Sequence, residues 1–167
     1  MSAKVNDIVT RTPPAWHRTC LLATLVLLSA CANLSLDGSE DAPHLTLTFR
    51  EWAIDKDRDE IHAGTATLLL RNQSARTHEF VMIRINSKSD LPKHTESHSE
   101  PLDEDQFSEE QIVTEVEHLA PGSVSRHVVD LTPGEYLIFC NVMETTPSGD
   151  VISHYGMGMR TTLKVVK

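Results

Sequence analysis

The chain is poor in cysteine, in aromatic residues and in positive charge, and each shortage removes a class of protein. Three cysteines in 167 residues are too few for a small disulfide scaffold. Aromatic residues make up 5%, and with only 7 Gly and 8 Pro no tract is collagen-like or low-complexity. No internal repeat recurs at solenoid or propeller periods. Fifteen Lys and Arg against 24 Asp and Glu give a net charge of −9, so nucleic acid is not an expected partner: gripping a phosphate backbone needs clustered cations. With 40% hydrophobic and 23% charged residues, what is present has the composition of one compact domain.

Long hydrophobic runs are also scarce. The run from Cys20 to Ala32 is 13 residues, short of the roughly 20 that a helix needs to cross a bilayer core. It follows a polar stretch carrying Lys4, Arg11 and Arg18, the order of a secretory n-region and h-region. Leu28-Ser29-Ala30-Cys31 at its end resembles the lipobox of bacterial lipoproteins, whose Cys is acylated and becomes the mature N-terminus. Ordinary cleavage after Ala32 is the alternative, since Ala30-Cys31-Ala32 also fits the small-x-small pattern. The resemblance implies a signal peptide over 1–30, lipidation at Cys31, a linker over 31–43 and a folded domain over 44–167. It also implies export and a lipid anchor in the cell envelope, facing the periplasm, with the membrane touched only through that lipid. Ala32 in place of Asp favours the outer membrane if the cell is Gram-negative. Loss of residues 1–30 leaves 12 basic against 23 acidic residues, a net charge of −11. It also leaves Cys140 as the one cysteine beside Cys31, and a lone thiol in an oxidising compartment calls for burial or ligation.

The folded part reads as strands. Leu45 to Phe49 alternates apolar and polar residues at period two. Asp55 to Glu60 reads as a charged loop, and Gly64–Leu70 and His78–Ile85 follow as strands. Asn86 to Glu110 is a long polar excursion, either a functional loop or one with a short helix near Glu104–Glu110. Then come Ile112–His118, Val124–Leu131, Tyr136–Val142 and Thr161–Val166, punctuated by Ala120-Pro121-Gly122 and Thr132-Pro133-Gly134. Seven or eight short strands with turn signals and no long helix predict an all-β Greek-key sandwich.

Candidate metal ligands gather near the C-terminus. The strand Tyr136-Leu137-Ile138-Phe139-Cys140 ends on the lone thiol, His154 follows 14 residues later, Met157 and Met159 follow that, and His78 opens an earlier strand. Two imidazoles, a thiolate and a weak thioether form the type 1, blue-copper set. Taken singly, each residue has an ordinary reading: an inert buried Cys, a hydrogen-bonded His, a gap-filling Met. Together, Pro133-Gly134-Glu135-Tyr136-Leu137-Ile138-Phe139-Cys140, His154-Tyr155 and Gly158-Met159, with Asn72 and His78-Glu79-Phe80 upstream, resemble the cupredoxin (plastocyanin/azurin-like) family over about Leu45 to Lys167.

The resemblance implies one type 1 copper held by His78, Cys140 and His154, with Met159 weakly axial and Met157 as the alternative. It implies an electron carrier, not an enzyme, whose acidic surface suits a redox partner with a basic docking face, such as a cytochrome. A copper-delivery protein and a metal-free interaction module are the alternatives. One departure from the smaller family members is the 13 residues between Cys140 and His154, where Pro147-Ser148-Gly149-Asp150 predicts a protruding turn. His94 and His98, four apart beside Glu96 and Glu100, are a weaker candidate for a second metal. Asp103, Glu104, Asp105, Glu109 and Glu110 read as a solvated acidic face.

Overall fold

The computed structural model describes residues 42–86, 91 and 97–167, so the signal peptide, Cys31 and most of the linker lie outside the described residues. The seven expected strands are present: β1 (His44–Phe49), β4 (Gly64–Asn72), β5 (His78–Ile85), β6 (Ile112–Leu119), β7 (Val124–Leu131), β8 (Gly134–Phe139) and β11 (Arg160–Val166). Four strands of three residues bring the described total to eleven: β2 (Ile54–Lys56), β3 (Glu60–His62), β9 (Met143–Thr145) and β10 (Val151–Ser153). The stretch Asp55–Glu60 is therefore not simply a loop. Ile54 and Ile61 bury their side chains and pin β2 and β3 to the edges of two sheets. The strand expected to run to Val142 stops at Phe139, where the backbone N–H of Cys140 turns to the carbonyl of Met159 at 3.0 Å.

One sheet has the order β2-β1-β4-β7 and the other β3-β11-β8-β5-β6. The chain passes from β6 to β7 in the opposite sheet and returns as β8 on the other side of β5, which makes the connection Greek-key. Alternation explains the interior: Leu45, Leu47 and Phe49 of β1, and Leu68 and Leu70 of β4, face Phe80, Met82, Ile138 and Leu163 of the second sheet. Each such side chain contributes about 1.5–3 kcal/mol when fully buried.

The second sheet is buried on its outer face too. Val81, Ile83 and Ile85 alternate with Phe80 and Met82, and with Leu137 and Phe139 they pack against Leu102 and Tyr155, with Leu91 and Phe107 at the margin. Among the described residues of the polar excursion after β5, Leu91, Leu102 and Phe107 therefore cover a sheet with two apolar faces. The short helix expected in this excursion is a pair of 3-10 turns, Glu104–Gln106 and Glu109–Gln111. The first is capped by Asp103, whose carboxylate accepts from the backbone of Asp105.

Candidate metal centre

Register puts the candidate ligands at one end of the sandwich. His78 begins β5 and Cys140 directly follows β8, and these strands are antiparallel neighbours with Val81 opposite Phe139. The segment from His154 to Met159 leads into β11, which pairs with β8 through Arg160 and Phe139. That segment is a tight coil closed by its own backbone: His154 N–H bonds the carbonyl of Val142 at 2.9 Å, and Met159 N–H bonds that of His154 at 3.0 Å. Two glycines permit the coil. Gly158 has φ of +110°, a conformation that side chains disfavour, and a Cβ on Gly156 would stand 2.7 Å from the carbonyl oxygen of Ser97.

Three donor atoms converge there. Nδ1 of His78 lies 3.2 Å from Nδ1 of His154, and Sγ of Cys140 lies 3.8 Å and 3.3 Å from those two nitrogens. All three side chains are wholly buried, and this is the one such group of three among the described residues. Met159 is buried in the same cluster and its backbone bonds both Cys140 and His154; Met157 is only partly buried. His94 and Glu96 lie outside the described residues, while His98 and Glu100 are exposed.

The outer nitrogen of each imidazole is committed elsewhere, which leaves the inner one as a lone pair. Nε2 of His154 faces the carboxylate of Glu144 at 3.4 Å, and a carboxylate only accepts, so that nitrogen carries the hydrogen. Nε2 of His78 stands 2.7 Å from Ser74 Oγ, whose own hydrogen reaches Asn72 Oδ1 at 2.9 Å. Burial then keeps both rings neutral: it pushes His78 down to about 4, helped by His154 beside it, and lowers His154 against the opposing pull of Glu144.

Burial also pushes the Cys140 thiol up to about 11, although Glu79 N–H bonds Sγ at 3.2 Å. Without a cation the sulfur is therefore a thiol, facing two imidazole lone pairs. A soft or borderline metal ion would resolve this arrangement by taking the thiolate and both nitrogens as donors, and the chemistry of the donor set fits copper. Neighbouring groups stiffen the frame. Asn141 N–H donates to Glu79 at 3.2 Å, and the Asn141 side chain bonds both N–H and C=O of Leu102.

Several residues of the site carried no signal in the sequence: Ser74, Trp52, Arg76 and Glu144. Trp52 stands edge-on to the His154 ring at 5.4 Å. Arg76 lies over Trp52 at 4.5 Å and bonds both Glu51 and Glu144. These contacts join residues far apart in the chain; the one hint was the length of the segment between Cys140 and His154.

No family model matches the chain, and no curated protein matches it. Solved structures do. An auracyanin from the photosynthetic bacterium Roseiflexus castenholzii, reduced with sodium dithionite, is 22% identical with a TM-score of 0.50, over 75% of this chain and 98% of its own. Rusticyanin from Thiobacillus ferrooxidans is 15% identical with a TM-score of 0.51, over 77% and 79%. These likenesses show the fold: the domain is a cupredoxin sandwich, as the sequence resemblance implies.

Proposed function

We propose that this chain is a type 1 copper protein that would hold one copper through His78, Cys140 and His154, with Met159 as the weak fourth donor, and passes single electrons between redox proteins. The carrying observation is the convergence of one buried sulfur and two buried imidazole nitrogens with lone pairs turned inward. Copper bound there supplies a one-electron Cu(II)/Cu(I) couple. Cys140 provides the thiolate, stabilised by the N–H of Glu79. His78 and His154 are oriented by Ser74 and Glu144, and the apolar surroundings exclude water. Met159 rather than Met157 is taken as the fourth donor because Met159 is wholly buried and tied through its backbone to two of the other candidate ligands. A frame fixed by strand pairing and buried hydrogen bonds changes little when the charge changes, which favours carrying electrons over turning over a substrate.

The rest of the functional reading rests on the sequence. Residues 1–30 act as the signal peptide and Cys31 as the lipid attachment, placing the domain on the envelope's periplasmic side. An acidic domain favours a basic partner such as a cytochrome, in an association that weakens with salt. Voltammetry of the copper-loaded chain tests the carrier reading: a reversible one-electron wave, absent in Cys140→Ser, supports it. Absence of a wave, with ready transfer of copper to a chelator, contradicts it in favour of delivery.

A further inference from the structure

Thirteen residues separate Cys140 from His154, and β9, its turn and β10 occupy most of them. In this hairpin Thr145 pairs with Val151 and Glu144 with Ile152, so alternation sends Glu144 and Ile152 to one face, Thr145 and Val151 to the other. Val151 is 50% exposed whereas the Glu144 side chain is 25% exposed, which identifies the Glu144 side as the one turned to the domain. Thr146 N–H bonds the carbonyl of Asp150 at 2.8 Å and Gly149 takes a φ of +91°, closing the turn.

The Glu144 carboxylate is held from two sides. One oxygen faces Nε2 of His154 at 3.4 Å; the other bonds a guanidinium nitrogen of Arg76. Arg76 is itself fixed, with Nε donating to Glu51 at 2.7 Å and its plane over Trp52. Trp52 completes the enclosure by packing edge-on against the imidazole, and His154 is left with no exposed surface. An arginine pinned between two carboxylates and an aromatic face limits the positions Glu144 can take.

Resting on the copper reading above, we propose that Glu144 is a positioning residue for the metal centre. It acts through His154: by accepting from Nε2 it fixes the tautomer and the ring plane, so that the Nδ1 lone pair faces Cys140 and His78 before any metal arrives. The β9–β10 hairpin is the device that delivers it, and Arg76 with Glu51 and Trp52 holds it in place. Partners of this kind beyond the ligands affect metal affinity by about 10–100-fold in other sites.

The test uses the purified full chain, its Glu144→Ala, Glu144→Gln and Arg76→Ala variants, copper competition against a chelator, and nitrogen-15 NMR of the copper-free imidazoles. Glu144→Ala is expected to lose about 10–100-fold in copper affinity, with His154 no longer held as a single Nε2–H tautomer. Glu144→Gln keeps an oxygen acceptor and is expected to stay within a few-fold of the parent with the tautomer intact. Arg76→Ala, which frees the carboxylate without removing it, is expected to fall between the two and serves as the test should Glu144→Ala fail to fold. Parent-like affinity and tautomer in both alanine variants overturns the proposal while leaving the copper reading in place. A parent chain that binds no copper, yet shows the tautomer and loses it in Glu144→Ala, overturns the copper reading and leaves Glu144 as the group that orients the His154 ring alone.

Discussion

Asn72→Ala removes a hub that ties the β4–β5 turn to the end of β6 and, through Ser74, to His78. The side chain is 2% exposed and makes four hydrogen bonds. Its amide nitrogen donates to the carbonyls of Arg76 and Leu119, each at 2.7 Å, and its oxygen accepts from Ser74 N–H and Oγ, each at 2.9 Å. Alanine leaves the buried carbonyl of Leu119 and the part-buried N–H of Ser74 without this partner, and leaves the part-buried carbonyl of Arg76 with Ser74 Oγ at 3.2 Å; each full loss costs about 1–3 kcal/mol. Entry of water into the space returns part of that, so the net is about 3 kcal/mol, large for a single substitution. For a domain of this size that corresponds to a fall in Tm of about 10 °C. Urea unfolding of the copper-free protein should show a lower midpoint at an unchanged slope, because the surface exposed on unfolding hardly changes. The same substitution takes the acceptor from Ser74 Oγ and leaves the His78 ring less firmly oriented, so copper affinity should drop with stability. A loss below about 1 kcal/mol with normal copper affinity would refute the view that Asn72 organises this corner.

Three further outcomes follow from the same structure. Cys140 holds its proton in the folded copper-free protein to about 11 but only to 9.0 unfolded, so stability is intact below pH 9 and falls as pH rises through 11. That contribution is about 3 kcal/mol, read from urea midpoints across pH, and Cys140→Ser should remove it while leaving the part due to the Tyr155 hydroxyl, which burial also raises. Met159→Leu should keep an absorbing copper centre but shift its reduction potential, at a stability cost under about 1.5 kcal/mol, whereas Met157→Leu should leave the potential unchanged; the reverse pattern would make Met157 the fourth donor. Gly156→Ala forces a Cβ to 2.7 Å from the backbone oxygen of Ser97 and 3.0 Å from that of His98, and should cost about 1–3 kcal/mol in thermal unfolding, with a neutral result contradicting the tight coil described here.

The seven long strands were legible because period-two alternation and Pro-Gly turns are local signals. Three-residue strands are too short to show a period: β2 and β3 sit in a charged stretch and are held by single buried residues, Ile54 and Ile61, whose role depends on the sheets they meet. The charged residues around them signalled a loop, and sheet pairing overrode that signal. At the site, residue type and order exposed the candidate ligands, since His, Cys, His and Met in that order are an uncommon combination of donors. The groups that orient them were hidden. Glu144 meets Arg76 across 68 residues and Ser74 meets His78 only because Asn72 folds the turn between, and neither Ser nor Glu has a composition that announces such a task.

The visible absorption spectrum of the purified chain with one equivalent of Cu(II), beside Cys140→Ser, is the most direct test of the central claim. A copper held by the Cys140 thiolate is expected to give an intense blue charge-transfer band, lost in the serine variant. A colourless or merely oxidised protein, or a band that survives in Cys140→Ser, would contradict it.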